Sequence, residues 1–462
     1  MPTLLIFFTL LLYCTAAPTM EENRQAVKAM LGSLNIKTRN LHRAGARRIT
    51  VSPRRVLVRA GLIIHLKPTE PEPDRGPKNN FTESLSETNK DIAEWMFEAD
   101  IALTPEQARA IVTGQQGRST TFGVISIPIN YTLDSSLSEF VTSFVPSSSL
   151  EHGNNRLRFY SGSGCWSYIG KQPSWTSQDI SIGYGCYSLG TVTHEIAHSL
   201  GFYHTQSRYD RDDWVIVNLN NVNPDLQYNF AKMTPATETH FGLPYDYGSV
   251  MQYDPYAFAQ NPSQYTISAI NPAYTNSMGQ REAPAFSDVR EVNWLYNCSS
   301  CLIIQQLKHV KDKISNPRNC NSCQCPRMFG GQYCEQLPSG TSPNCNGTVV
   351  QATSTTWSTL RGAAGDSTSY TPLTEATDCY WHITAPTGRR LQVRLSTPPS
   401  NCMQGCPWQS IELNMGQFDL FGMIMCCQSA VGQIYTSTAN LVGIRGAIRY
   451  NQLTFGLDYR VV

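Results

Sequence analysis

The chain has 462 residues, which is too long for one compact hydrophobic core and predicts roughly two to four folded units. Its formal net charge is +1, so the charge balance favours neither nucleic acid nor an anionic membrane as a partner. Charged residues make up only 15% of the chain, and Ser, Thr, Asn, Gly and Pro are plentiful, which is typical of a glycosylated extracellular protein rather than a cytosolic one.

The N-terminus carries a short apolar run, LLIFFTLLLY, followed by the small residues of CTAA. The run is too short to span a bilayer and is typical of a signal peptide, which we assign to residues 1–17. The alternative interpretation is a buried core helix. No later segment is apolar enough to span a membrane, so we expect a secreted, extracellular protein.

The cysteine count supports an oxidising compartment. Of fifteen cysteines, Cys14 would leave with the signal peptide, and the even number that remains predicts mostly disulfides. N-x-[ST] sequons predict glycosylation at four positions, which are Asn80, Asn130, Asn297 and Asn346.

Residues 18–118 contain no cysteine and begin with an arginine-rich stretch. This part of the chain is either a solvated arm or a pro-segment with dibasic processing sites at Arg47-Arg48 and Arg54-Arg55. Further on, residues 86–112 have a helical pattern, with Thr104 as an N-cap and Gln107 three positions later. We expect the cleavage that removes such a pro-segment between Arg109 and Arg118, for example after Arg118.

Residues 119–298 are richer in apolar side chains, and the opening FGVISIPINYTL is β-branched and predicts a strand. Cysteines become dense in residues 299–335, a segment that is too short to bury a core and needs covalent cross-links. A linker follows at 336–344. Residues 345–462 alternate apolar and polar side chains, as in LTFGLDYRVV, which predicts an all-β module.

The segment VTHEIAHSLGFYHTQSRYD holds three of the nine histidines within eleven positions. If THEIAHSLG is helical, His194 and His198 lie one turn apart on one face. Gly201 can take a positive φ and end the helix, so His204 can approach the same point from another direction. Three neutral nitrogens with one position open describe a catalytic zinc site. Glu195 is rotated about 100° from the first histidine, so it can reach a water rather than the metal.

A chance H-E-x-x-H in a helix, or histidines buried in a core, is the alternative to a zinc site. The glycine and the third histidine at these spacings argue against coincidence. Zinc lowers the pKa of a water towards ~7 and polarises a carbonyl, so the pattern predicts peptide-bond hydrolysis with Glu195 moving the proton.

HEIAHSLGFYH resembles the metzincin zinc-binding consensus, and the following TQSRYDRD narrows the resemblance to the astacin family. YDYGSVMQYDPYAF resembles the Met-turn of that family. The resemblance implies one Zn²⁺ per subunit, Met251 as an apolar floor beneath the metal, and Tyr253 as a weak zinc ligand that swings to stabilise the oxyanion. MFEADIALT resembles the pro-segment motif F-x-G-D, in which the aspartate, here Asp100, silences the zymogen by binding zinc. Ala99 replaces the glycine of that motif.

The C-terminal part resembles an EGF-like module and a CUB module. The fold class implied is therefore multidomain: an α+β metzincin catalytic domain at 119–298 with an active-site helix and a Met-turn, then a small disulfide-rich EGF-like module, then an all-β CUB sandwich. Such modules usually bind proteins or glycans. The resemblance also implies four disulfides, which are Cys165–Cys186, Cys345–Cys379, Cys325–Cys334 and Cys301–Cys320. Cys402 and Cys406 are expected to pair with Cys426 and Cys427, in either order.

The sequence departs from the family pattern at several points. Thr205 replaces a glutamate that engages the new N-terminus after activation, and Gln252 replaces the Met-turn histidine. A long helix and a cysteine of the family pattern are missing between residues 141 and 143, which leaves Cys298 without its usual partner. In the EGF-like segment, residues 302–317 replace a cysteine-containing stretch, which leaves Cys323 without its partner. These two cysteines could pair with each other. A mis-spliced gene model and real divergence explain both gaps equally well.

The leading hypothesis is a secreted zinc metalloendopeptidase of astacin type, made as a zymogen, that hydrolyses extracellular proteins or peptides. The alternative is a catalytically impaired, astacin-like protein that acts as an extracellular binding module. The presence of the three histidines, Glu195 and Tyr253 favours the first hypothesis. The shortened region at residues 141–143 favours the second.

Overall fold

The structure, a computed structural model, describes residues 84–104, 107–108, 110–111, 125, 129–137, 156–172, 175–296, 298, 314–315 and 322–462. Several sequence predictions fall outside these ranges: the signal peptide, both dibasic pairs, cleavage after Arg118, the shortened stretch after residue 137, Asn80, Asn297 and the pair Cys301–Cys320. Within the described ranges, no helix is both long and apolar enough to cross a membrane.

The first layer is a five-stranded mixed sheet in the order β1-β4-β5-β3-β2. Its strands are β1 (Ile101–Ala102), β2 (Asn130–Leu133), β3 (Arg156–Tyr160), β4 (Cys165–Tyr168) and β5 (Ser177–Ile182). The edge strand β1 comes from the predicted pro-segment and pairs in parallel with β4. Phe159 and Ile180 point from the sheet into the main core, where they meet Val192 and Ile196 of the long helix below.

The prediction of a helix over 86–112 is wrong for most of that stretch. The structure has a short helix α1 (Leu85–Thr88), a 3₁₀ turn (Ala93–Trp95) and then strand β1. Glu98 and Ala99 take left-handed φ values of 47° and 68°, which a right-handed helix cannot contain. The Thr104 N-cap is confirmed: its Oγ1 accepts the Gln107 N–H at 3.2 Å, and the Gln107 amide oxygen accepts the Thr104 N–H at 2.9 Å.

Below the sheet, helix α2 (Leu189–Ser199) packs against β4 and β5. A second lobe follows it, built from a two-stranded sheet, several 3₁₀ helices and helix α3. These elements are β6 (Val215–Val217), β7 (Ile267–Ala269), α3 (Phe286–Leu295) and the 3₁₀ helices Thr205–Ser207, Arg211–Asp213, Leu219–Asn221, Pro224–Phe230 and Pro272–Ser277. Val215, Phe230, Tyr245 and Ile267 form the core of this lobe.

The C-terminal part is a sandwich of two β-sheets, preceded by a small segment with strands β8 (Ile314–Ser315) and β9 (Cys323–Gln324). The sheets have the orders β10-β12-β17-β14-β15 and β11-β18-β13-β16. Their strands are β10 (Val349–Gln351), β11 (Ser358–Gly365), β12 (Thr377–Thr384), β13 (Leu391–Thr397), β14 (Gln409–Asn414), β15 (Met423–Met425), β16 (Ile434–Thr436), β17 (Leu441–Ile448) and β18 (Gln452–Val461). The all-β prediction for this region is confirmed, because alternate residues such as Leu391, Val393 and Leu395 fill the core between the sheets.

Disulfides connect the loops at the ends of these elements. The described bonds are Cys165–Cys186, Cys325–Cys334, Cys345–Cys379, Cys402–Cys427 and Cys406–Cys426. The order that the sequence left open for the last two is therefore settled. Cys298 and Cys323 are not joined to each other by a disulfide.

The sandwich packs on the second lobe through a network of buried charges. Glu282 lies in that lobe just before helix α3, and its carboxylate lies 2.7 Å from Arg445 of β17 and 3.3 Å from Arg327 of the small segment. Glu412 of β14 lies 3.4 Å from Arg327 and completes the network. Burial alone would raise the pKa of Glu282, but Arg445, Arg327 and Arg449 lower it from 4.5 to about 2.

We expect acid to weaken this contact. Because the folded-state pKa of Glu282 is depressed, its carboxylate stabilises the packed state above about pH 4.5 and loses that contribution as the pH falls towards about 2. The contribution is on the order of 3 kcal/mol. Small-angle X-ray scattering across this window should show the sandwich separating from the second lobe. In Glu282→Gln the contact should be weaker near neutral pH and should lack this transition; an identical transition in the variant would contradict the assignment.

Candidate metal centre

Helix α2 carries the first two histidines of the site. Ser188 begins the helix, and its Oγ accepts a backbone N–H of the first turn at 3.1 Å. The Nε2 atoms of His194 and His198, one turn apart, are 3.1 Å from each other. Gly201 takes a φ of 103°, as glycine readily does, and ends the helix. The chain then returns so that His204 Nε2 lies 3.3 Å from His194 Nε2.

The three imidazole rings turn their Nε2 atoms toward a common centre. Each Nδ1–H donates to an oxygen, so each Nε2 faces the shared centre and can bind a metal once it carries no proton. The acceptors are Val250 O for His194 at 2.8 Å, Phe202 O for His198 at 2.7 Å, and Glu98 Oε2 for His204 at 2.7 Å. These three acceptor oxygens hold each ring with its Nε2 toward the centre, which is the orientation that metal binding requires.

Asp100 of the predicted pro-segment lies among the three rings. Its Oδ2 is 3.2 Å from the Nε2 atoms of both His194 and His204, and its Oδ1 is 3.4 Å from His198 Nε2. The Asp100 carbonyl accepts the Ser167 N–H at 3.0 Å, which anchors the segment to β4. Oδ1 is buried and has no hydrogen-bond partner among the described residues.

The charges of the cluster favour a cation. Burial lowers the pKa of His194 well below its usual value, so this ring is neutral. Burial would also lower the pKa of His204, but Asp100 and Glu98 raise it to about 9. The two carboxylates thus hold one positive charge at the centre, and a divalent metal can supply that charge in place of a proton.

The donor set fits zinc. Ligand atoms from Asp100, His194, His198 and His204 all lie within 4.8 Å of one another, and all four residues are buried. Three nitrogens and one carboxylate oxygen are donors that Zn²⁺ accepts. A buried carboxylate oxygen without a hydrogen-bond donor is otherwise costly, and a metal ion would satisfy it.

Glu195 lies beside this cluster on helix α2 and is not a member of it. Both of its carboxylate oxygens are buried and have no hydrogen-bond partner in the described part of the chain. Burial raises its pKa well above the usual 4.5, and Asp100 raises it further, while Arg281 lowers it. A carboxyl group in this environment readily takes up a proton.

Tyr253 closes the site on the other side. Its hydroxyl donates to the Glu98 carbonyl at 2.5 Å, and its ring centroid lies 4.6 Å from that of His204. Met251, which the sequence predicted as the floor of the site, is buried in the main core. Its carbonyl oxygen accepts the Thr205 N–H at 3.0 Å.

Several residues of the site were missed by sequence reasoning. Glu98 binds His204 through its side chain and Tyr253 through its carbonyl, and its only sequence signal was its place two positions before Asp100. Arg281 acts on the pKa of Glu195, and its Nε is buried without a partner among the described residues. No local pattern marks Arg281, because it is far from the histidines along the chain.

The two departures from the family pattern have local partners. Thr205 Oγ1 donates to Ser249 Oγ at 2.9 Å, and the amide oxygen of Gln252 accepts the Tyr245 hydroxyl at 2.5 Å. Neither residue contacts the histidine cluster through these bonds. Asn346, one of the predicted glycosylation sites, is exposed, and the side chain of Asn130 lies outside what the structure describes.

Comparison with known proteins gives matches to a family model, to curated relatives and to a solved structure. The family model described as Astacin, a family of peptidases, matches residues 129–297. Zinc metalloproteinase nas-28 of Caenorhabditis elegans is 48% identical over 415 residues, which cover 84% of this chain and 83% of that protein. Zinc metalloproteinase nas-27 of the same organism is 30% identical over 397 residues, covering 80% and 91%. Among solved structures, high choriolytic enzyme 1, a hatching enzyme zinc-protease from Oryzias latipes, is 31% identical and covers 37% of this chain and 88% of that one, with a TM-score of 0.33.

Proposed function

Because this chain belongs to the astacin family and is therefore a zinc metallopeptidase that uses one zinc ion, we propose that it is a secreted endopeptidase made as an inactive precursor. The observation that carries this proposal is the convergence of three histidine Nε2 atoms beside a buried glutamate that no described residue engages by a hydrogen bond. Substrates would be extracellular proteins or peptides.

In this proposal His194, His198 and His204 hold the zinc ion. Bound zinc supplies Lewis-acid chemistry, since it lowers the pKa of water and polarises a carbonyl. The backbone carbonyls of Val250 and Phe202 keep two of the rings in the tautomer that can bind it.

Glu195 would act as the general base and then as the general acid. Its carboxylate takes the proton of the attacking water and passes it to the leaving amine of the cleaved peptide. Its raised pKa supports this role, because a base with a pKa nearer the working pH can both accept and return a proton.

Tyr253 would stabilise the oxyanion that develops on the scissile carbonyl. In the precursor its hydroxyl donates to the Glu98 carbonyl, so it is occupied by the pro-segment. Release of residue 98 would return this donor to the substrate.

Asp100 would keep the precursor inactive by placing its carboxylate where substrate must bind. Its contacts with all three rings support this role. The proposed organisation is a signal peptide at 1–17, a pro-segment at 18–118, the catalytic domain at 119–298, an EGF-like module at 299–335, a linker at 336–344 and a CUB module at 345–462. The modules would bind protein or glycan ligands.

Replacing Ala99 by glycine is expected to strengthen inhibition. Ala99 has a φ of 68°, a conformation that costs a residue with a Cβ about 1 kcal/mol more than glycine. The unprocessed Ala99→Gly protein should unfold about 2 °C higher and show about fivefold less residual activity. As a control, Ala93→Gly lies in a 3₁₀ turn and should not gain stability; an equal gain there would contradict the argument.

The proposed function can be tested on secreted protein trimmed with trypsin. Casein or gelatin should be cleaved, and a zinc chelator should stop cleavage until zinc is restored. Well-folded, zinc-loaded protein that cleaves neither would support the alternative, a catalytically impaired binding protein. The site favours the enzyme, because both carboxylate oxygens of Glu195 are buried without a hydrogen-bond partner among the described residues, which costs stability and is expected only where the group has a function.

A further inference from the structure

A short stretch of the C-terminal sandwich, residues 419–424, packs on the catalytic part, and we name it the docking segment. Phe421 lies at its centre and is 4% exposed. Its N–H donates to both carboxylate oxygens of Asp246, at 3.0 and 3.2 Å. Its ring lies on Gly248, where an added Cβ would come within 2.2 Å of the ring.

The flanks of the docking segment are bonded as well. Asp419 forms an ion pair with Arg290 of helix α3 at 2.6 Å. Ser277 Oγ donates to Gly422 O at 2.8 Å and accepts the Ile424 N–H at 3.2 Å, so it covers the edge strand β15. Together with the Glu282 network, these contacts join the sandwich to the catalytic part by buried, directional bonds rather than by a tether.

The residues that receive Phe421 belong to the loop that supports the histidines. Asp246 also accepts the Gly248 N–H at 2.9 Å and the Ser287 hydroxyl at 2.6 Å. Ser287 lies in helix α3 next to Asp288, whose carboxylate accepts the Val250 N–H at 2.9 Å. The loop 246–251 is thus held between helix α3 on one side and the docking segment on the other.

The loop 246–251 also contacts one of the proposed zinc ligands. Val250 O accepts the His194 Nδ1–H at 2.8 Å and sets the orientation of that ring. Gln280 donates to Gly248 O at 2.7 Å and ties the same loop to the stretch that leads to Glu282. Loss of the docking segment would take the Phe421 ring away from Gly248 and the Phe421 N–H away from the buried Asp246 carboxylate. Asp246 lies four residues before Val250 in the same loop.

We propose that the C-terminal sandwich is a positioning element of the catalytic centre: Phe421, through Asp246 and Gly248, holds the loop 246–251 so that Val250 orients His194 for zinc. The sandwich then contributes to zinc affinity and turnover, in addition to any ligand it binds. This inference rests on the proposed function in that His194 is taken as a zinc ligand.

Gly248 offers a sharp test because its backbone is not in the left-handed region, so alanine there is acceptable to the chain itself. The three atoms nearest to an added Cβ all belong to Phe421. Gly248→Ala therefore disturbs the docking contact directly, and Phe421→Ala removes the ring from the same contact, so the two substitutions act on one interaction. Tyr370→Ala is the control, since Tyr370 is an aromatic residue on the exposed surface of the sandwich.

The full-length secreted chain, before and after trypsin trimming, should be titrated with zinc against a chromogenic chelator and assayed on a short peptide. Gly248→Ala should weaken zinc binding about 10- to 100-fold and lower kcat with little change in KM. Phe421→Ala should show losses of similar size, and the double variant Gly248→Ala/Phe421→Ala should be no worse than the single variants, because both changes break one contact. Tyr370→Ala should match the wild type.

Wild-type zinc affinity and kcat in Gly248→Ala, with the docking segment exposed to protease, would overturn the inference. If Gly248→Ala is not secreted, Phe421→Ala alone must show the same losses, and unchanged values there would overturn it too. A wild-type chain that neither binds zinc nor cleaves would instead defeat the proposed function, so the two failures are distinct.

Discussion

Glu195→Gln is expected to lower kcat/KM by about 10²- to 10⁴-fold while the protein keeps one zinc ion. The amide has the shape of the carboxyl group but cannot take up the proton of the attacking water, and general acid–base help of this kind has that magnitude. The rate on a peptide substrate and the zinc content by elemental analysis check both halves of the expectation.

The same substitution should not destabilise the fold. Both Glu195 oxygens are buried without hydrogen-bond partners among the described residues, and burial raises the pKa of the group. Replacing a poorly solvated ionisable group by a neutral one removes a cost, so the melting temperature should hold or rise. Glu375→Gln is a matched control, because Glu375 in the sandwich also has a buried oxygen without a partner among the described residues and a pKa raised by burial. Full activity in Glu195→Gln would rule out Glu195 as the base.

Asp100→Ala is expected to give an unprocessed precursor that cleaves substrate without trypsin. The variant removes charged contacts to three rings, and a charged hydrogen bond contributes about 1.5–3 kcal/mol, which corresponds to roughly a 10- to 150-fold rise in precursor activity. The activity of the intact secreted chain, checked by mass spectrometry for absence of processing, measures the effect.

Asp91→Ala is the matched control for this experiment, since Asp91 is an exposed aspartate of the same segment. It should leave the precursor silent. Glu98→Gln should give a smaller rise than Asp100→Ala, because the backbone carbonyl that holds Tyr253 remains. A precursor that stays silent in Asp100→Ala would show that inhibition does not depend on this carboxylate.

The histidine cluster could be predicted from the sequence because it is local. His194 and His198 are one helical turn apart, and the glycine that returns the chain to His204 follows within the same short segment. The sandwich could be predicted for a similar reason, since alternation along β13 and β18 reflects which side chains face the core. Periodicity and turn chemistry are properties of a few neighbouring residues.

The stretch before Asp100 could not be predicted in this way. Its composition favours a helix, yet Glu98 and Ala99 take left-handed backbone angles, because contacts with His204 and Tyr253 outweigh local preference. A helical preference of a few tenths of a kcal/mol per residue is smaller than one buried, charged hydrogen bond.

By itself, the sequence determined which residues could hold a metal, that the segment with His194 and His198 is helical, and that the C-terminal region is built of β-strands. Only the tertiary structure decided that Glu98 accepts a hydrogen bond from His204 and that Val250 orients His194. It also decided which cysteines pair among 402, 406, 426 and 427, and that the Phe421 ring lies on Gly248. These pairs are distant along the chain, and their contacts depend on how whole elements pack, which no short pattern of residues encodes.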